Sequence, residues 1–102
     1  MTSMKDRERA FENKFALDEE QKFKAVVRRN KLVGRWAAGL LGRDADAYAQ
    51  EVVEADFQEA GEEDVFRKLR ADFDAAGVSV ADDEIRQKML AYLQDAVAEV
   101  RQ

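Results

Sequence analysis

The sequence contains no cysteine, no proline and no histidine. Without cysteine, disulfides and thiolate metal sites are excluded. Without cysteine or histidine, and with few hydroxyl side chains, the usual pairs of nucleophile and general base cannot be assembled. No glycine-rich phosphate loop or dinucleotide fingerprint is present either. We therefore expect no enzymatic activity, no catalytic residues, no metal site and no required cofactor.

Long hydrophobic runs are also missing. The longest apolar run, Trp36 to Leu41, is far too short to span a bilayer, and the N-terminus lacks the apolar segment of a secretion signal. We expect a cytoplasmic protein without direct membrane insertion.

Charge is present in abundance and is unevenly distributed. Residues 1–43 carry a net charge of +5 and residues 44–102 a net charge of −10. Residues 21–43 hold seven basic side chains and no acid, whereas residues 44–66 hold nine acids and no base. Either a basic helix packs beside an acidic one, or the basic segment binds an anionic ligand or partner. The isoelectric point near 4.8 argues against nucleic acid.

Hydrophobic periodicity predicts four helices. Gly42, Gly61 and Gly77 each follow an apolar pattern of period 3.6, as residues just past helix C-termini do. The helices are expected over about 18–41, 44–60, 64–76 and from between 79 and 83 to 101. Their short connections predict an all-α, antiparallel four-helix bundle over residues 18–102, preceded by a flexible or extended helical arm over residues 1–17.

Most core positions of these helices are apolar. The first helix places on one face Phe23, Val26, Val27, Val33, Ala37, Leu40 and Leu41. Asn30 and Asp56 also occupy core positions, where we expect them to hydrogen-bond across a helix interface. The carboxylates that crowd the starts of the later helices are expected to cap them rather than to bind metal.

A basic stripe runs along the first helix opposite its core face: Lys24, Arg28, Lys31 and Arg35 recur at helical spacing. Trp36 lies beside it. Basic groups next to an aromatic ring can hold the phosphates of a small anion such as ADP or ATP. The candidate nucleotide-binding residues are therefore Arg28, Lys31, Arg35 and Trp36, although Trp36 also fits the edge of the core.

The arm, residues 1–17, places Phe11 and Phe15 on a narrow apolar face in a background of charge. Burying two phenylalanines contributes about 3–6 kcal/mol, whereas ordering a dozen residues costs about 1 kcal/mol or more each. The arm alone should not stay folded, unless a partner supplies a groove. The alternative is that it folds back, extends the first helix and packs its phenylalanines on the bundle end.

Longer segments resemble a known family. The run DRERAFENKFALDEEQKFKAVVRRNKLVGRWAAGLLG, followed by AYAQEVVEADFQEAGEEDVFRKLR and DDEIRQKM, is similar to the zeta subunits of bacterial F-type ATP synthases. The resemblance implies a four-helix bundle whose mobile N-terminal segment enters the interface of the alpha and beta subunits, beside the rotor subunit gamma, and blocks ATP hydrolysis. It also implies possible ADP or ATP binding, and a location peripheral to the inner membrane through ATP synthase. Carried onto this chain, the partner-binding residues are Arg7, Arg9, Phe11, Lys14 and Phe15.

Overall fold

The computed structural model describes residues 17–56 and 63–101, which form four α-helices and no strand. They are α1 (Glu19–Leu41), α2 (Ala45–Asp56), α3 (Glu63–Ala76) and α4 (Asp82–Val100). The all-α prediction is confirmed. The expected extension of the second helix to Ala60, and the role of Gly61 as its stop, lie outside the described residues.

The helix ends follow local sequence signals. Gly42 and Gly77 both have φ 69°, in the left-handed region that favours glycine, so the prediction that they follow helix C-termini is confirmed. At the other ends, Asp18 caps α1 and the Asp44 side chain accepts a hydrogen bond of 2.9 Å from the Ala47 amide in α2. Each helix also carries carboxylates in its first turn, where they interact favourably with the helix dipole.

Contacts between helices show that neighbours run antiparallel. Arg28 pairs with Glu99 near one end of α1 and α4, whereas Lys88 lies over the Trp36 ring towards the other end. The remaining neighbours show the same reversal. Between α1 and α2, Asp56 lies near Arg29 whereas Ala49 meets Gly34. Between α2 and α3, Tyr48 bonds to Asp72 whereas Glu51 pairs with Lys68. Between α3 and α4, Glu63 pairs with Arg86 whereas Arg70 pairs with Asp82. The predicted antiparallel bundle is therefore the observed one.

The core has two parts. The main cluster lies between all four helices and consists of Val33, Ala37, Ala38, Tyr48, Val52, Val65, Leu69, Phe73, Val80, Ile85 and Met89. A smaller cluster lies where α1 begins and α4 ends. It consists of Ala25, Ala96 and Val97, and Leu17, Leu93 and Val100 pack against it half-buried. The 3.6-residue apolar period of the last three helices also predicts which of their residues are buried, and the core confirms it: Tyr48 and Val52 on α2, Val65, Leu69 and Phe73 on α3, and Ile85, Met89, Ala96 and Val97 on α4.

The core face of α1 differs from the prediction at both ends. Phe23 is 57% exposed and Leu40 is 44% exposed. Phe23 lies in the first turns of α1, ahead of Arg29, which is the position that Asp56 of α2 approaches. Small residues supply part of the interior instead, since Ala25, Gly34 and Ala38 are buried.

Candidate functional site

The base of the arm is held in place by its last residue and by the start of α1. Leu17 is half-buried against the small cluster formed with α4. Asp18 follows in an extended conformation (φ −77°, ψ 174°), and its Oδ1 accepts a 2.8 Å hydrogen bond from the Gln21 amide. The Gln21 Oε1 accepts in return from the Asp18 amide at 3.3 Å. This reciprocal capping box fixes the start of α1, with Asp18 as its N-cap residue.

The predicted partner-binding residues precede this point in the chain. Arg7, Arg9, Phe11, Lys14 and Phe15 lie outside the described residues, so their assignment stays a prediction. What the structure does describe is the place where the arm joins the bundle, beside the C-terminal end of α4. There Arg28 and Glu99 are joined by two hydrogen bonds, of 2.7 and 3.3 Å.

The basic stripe is largely paired with carboxylates. Lys24 pairs with Glu20 at 3.1 Å and Arg35 with Asp46 at 3.2 Å. The hydrogen bond from Arg28 lowers the pKa of Glu99. Within the described ranges, Lys31 is an exposed cation of the stripe with no ion pair. The interpretation that the basic helix packs beside acidic neighbours accounts for most of this charge.

Trp36 lies at the edge of the core. Its ring meets Phe73 edge-on with centroids 5.7 Å apart, and Lys88 Nζ lies 5.8 Å from the ring centroid. Trp36 therefore contacts α3 and α4, whereas Arg35 pairs with α2. The four predicted nucleotide-binding residues share α1 but do not converge on one point.

A buried polar group lies between α1 and the facing ends of α2 and α3. Asn30 is fully buried and Arg29 is 3% exposed, and the Arg29 Nε donates to the Asn30 Oδ1 at 2.7 Å. Burial raises the pKa of Asp56, while Asn30 and Arg29 act in the opposite direction. Among the residues that the structure describes, no acceptor lies within hydrogen-bonding geometry of the Asn30 Nδ2. Asn30 and Asp56, the two polar residues predicted at core positions, thus lie close enough across the α1–α2 interface for Asn30 to oppose the rise in the pKa of Asp56.

A second polar network joins α2 to α3. The buried Tyr48 hydroxyl donates to Asp72 Oδ2 at 2.7 Å, and Lys68 Nζ donates to the same oxygen at 3.0 Å and to Glu51 at 3.2 Å. Burial alone would raise the pKa of Asp72, but the hydrogen bonds from Tyr48 and Lys68 outweigh it and lower that pKa. Arg43 also reaches Glu51. This network fixes helix positions and has no counterpart among the predicted site residues.

Sequence reasoning missed two features of this region. The pattern of Asp18 followed three positions later by Gln21 is a capping-box signal and was readable in the sequence. The burial of Arg29 also follows the helical period, since position 29 lies three residues after Val26 and four before Val33, but a charged side chain was not expected on that face.

Two further properties bear on function. Across the described ranges, no helix combines the length and apolarity needed to cross a membrane. In the same part of the chain, no group of three or more carboxylate side chains is arranged to hold a metal ion.

Comparison with known proteins adds one finding. A family model described as ATPase inhibitor subunit zeta matches residues 1–99. The match includes the arm as well as the four helices. No curated protein matches the chain.

Proposed function

Since this chain belongs to the ATPase inhibitor subunit zeta family, we propose that it is a regulatory, non-enzymatic subunit that blocks ATP hydrolysis by the F-type ATP synthase. The single observation that carries this proposal is the family match, which begins at residue 1 and so takes in the arm. The proposed location is the cytoplasmic face of the inner membrane, reached through ATP synthase.

The inhibitory element in this proposal is the arm. Support comes from the structure of the bundle: the two core clusters are built from the four helices, Val80 and Leu17, and the first turn of α1 is capped locally by Asp18 and Gln21. The bundle can therefore act as a base for the arm. As a helix, residues 5–17 would reach about 20 Å, enough to enter a cleft between subunits.

The proposed partners are the alpha, beta and gamma subunits of the catalytic head. Phe11 and Phe15 serve as apolar anchors, because aromatic side chains that fill pockets carry much of the energy of such interfaces. Arg7, Arg9 and Lys14 pair with carboxylates of the partner. The cost of ordering the arm is met by contacts that only the partner supplies.

A deletion tests the proposal directly. The deletion should remove residues 1–16 and keep Leu17, because Leu17 packs against the small core cluster. We expect the shortened chain to melt as a folded bundle and to lose inhibition of the purified ATPase head. Full inhibition by the shortened chain would contradict the proposal.

Side-chain replacement separates the anchors from the rest of the arm. We expect Phe11→Ala combined with Phe15→Ala to weaken inhibition by at least about 100-fold, the effect of losing two apolar anchors of about 1.5–3 kcal/mol each. Leu90→Ala is the matched control, since Leu90 is an apolar side chain of the bundle that is 55% exposed. Equal potency of the double variant and the control would remove the phenylalanines from the interface.

As a second candidate function, we propose that the basic face of α1 binds ADP or ATP weakly. Lys31 is exposed. Both side chains of the Arg35–Asp46 ion pair are also exposed, so the pair contributes little stability and Arg35 can exchange Asp46 for a phosphate. Trp36 fluorescence during an ADP titration reports binding. Asp46→Asn should tighten ADP binding and Lys31→Ala should weaken it. If the fluorescence and the amide spectrum stay unchanged at millimolar ADP, this function is excluded.

A further inference from the structure

Three separate interactions meet where the arm leaves the bundle. The capping box joins Asp18 and Gln21 at 2.8 and 3.3 Å. Leu17 packs half-buried against the cluster of Ala25, Ala96 and Val97. These interactions hold the chain from both directions: the capping box from α1, and the apolar contact from the end of α4.

The backbone at this point is not helical. Asp18 has ψ 174°, whereas a helical residue has ψ near −42°. A straight continuation of α1 into the arm would require Asp18 to leave this conformation. Both hydrogen bonds of the capping box would then break, and Leu17 would move off the end of α4.

From this arrangement we propose that residues 17–21 form an elbow, with Leu17 and Asp18 as positioning residues that fix where and in which direction the arm departs. The inference deepens the proposed function and rests on it, since an elbow matters only if the arm binds a partner. The elbow keeps α1 and the arm as separate elements, so that the bundle presents the arm from beside the C-terminal end of α4. The arm therefore starts from a fixed point on the bundle when it binds the partner.

Losing the elbow lowers the fraction of molecules whose arm starts in the right orientation, and the apparent affinity falls by that fraction. An N-cap of this type favours its conformation by about 2- to 30-fold. We therefore expect Asp18→Ala to raise the half-inhibitory concentration by about 2- to 30-fold. Asp18→Asn should inhibit like the wild type, because asparagine caps as well as aspartate. Leu17→Ala should weaken inhibition in the same range, whereas Leu17→Met should not.

The experiment compares these full-length variants, and the chain lacking residues 1–16, as inhibitors of the purified ATPase head. Melting curves confirm that each variant is folded. The expected result is rescue by asparagine and methionine but not by alanine, since a loss of bundle stability alone would appear in the melting curves. If Asp18→Ala inhibits as well as or better than the wild type while the shortened chain does not inhibit, the proposed elbow is wrong but the proposed inhibitory role of the arm is retained. If the shortened chain inhibits fully, the proposed function fails and the elbow with it.

Discussion

Helices α1 and α2 lie close together at Gly34, and the contact predicts a large effect of adding one methyl group. A Cβ on Gly34 would lie 2.7 Å from the Ala49 Cα and 3.3 Å from both the Ala49 Cβ and a Val52 methyl. Carbon atoms in contact prefer a separation of about 3.5–4.0 Å, so Gly34→Ala forces the backbones of α1 and α2 about 1 Å further apart.

Two opposing terms set the magnitude. Alanine favours the helix over glycine by about 1 kcal/mol. Overpacking costs about 1–3 kcal/mol, and the upper end applies because the blocking atom belongs to the backbone of α2. The net expectation for Gly34→Ala is a loss of about 2 kcal/mol in the free energy of unfolding.

Gly39→Ala is the matched control on the same helix. A Cβ there meets nothing within 4 Å, so only the propensity term of about 0.5–1 kcal/mol remains and the variant should be more stable. Thermal unfolding followed by circular dichroism is the assay. We expect Gly34→Ala to melt about 8–16 °C below the wild type and Gly39→Ala about 2–8 °C above it. Equal melting temperatures for the two variants would refute the close approach of α1 and α2.

Three further predictions concern the polar networks. Tyr48→Phe removes the hydrogen bond to the Asp72 carboxylate, and chemical denaturation should show that the free energy of unfolding falls by about 1.5–3 kcal/mol. An unchanged free energy of unfolding would mean that this hydrogen bond is not formed. Because the pKa of Asp72 is lowered in the folded chain, its contribution to stability is present at neutral pH and is lost on acidification. Asp72→Asn should therefore lose less stability than the wild type between pH ~7 and ~3, and parallel pH curves would contradict this. Because burial raises the pKa of Asp56, the folded chain holds this proton more tightly, and stability falls as pH rises through the range between the unfolded and folded pKa values. Asp56→Asn should accordingly be more stable than the wild type at neutral pH but not in acid. The exposed control Asp95→Asn should match the wild type in stability at both pH values. If Asp56→Asn is destabilised at neutral pH, the charge of Asp56 is favourable in the folded chain.

Local signals in the sequence were sufficient to predict most of the fold. The apolar repeat and the glycines at positions 42 and 77 placed the C-terminal ends of α1 and α3, because both signals depend on neighbouring residues in the chain. The exposure of Phe23 was not predictable in this way. It depends on which distant segments pack beside the first turns of α1, and neighbouring residues in the chain do not determine that.

The same distinction between local signals and contacts of distant residues applies to the candidate site. The capping box at Asp18 and Gln21 is local and was readable. The partners of the basic stripe were not, since Glu99 lies 71 residues from Arg28 in the chain. The arm is a different case, because Phe11 and Phe15 lie outside the described residues and their role as anchors stays a prediction.

Amide hydrogen exchange of residues 1–16, measured with and without the ATPase head, tests the central claim most directly. The account predicts that these amides exchange quickly in the isolated chain and become protected when the head is added, while the amides of α1–α4 change little. Protection of residues 1–16 in the isolated chain to the level of the core, or an unchanged rate in the inhibited complex, would contradict it.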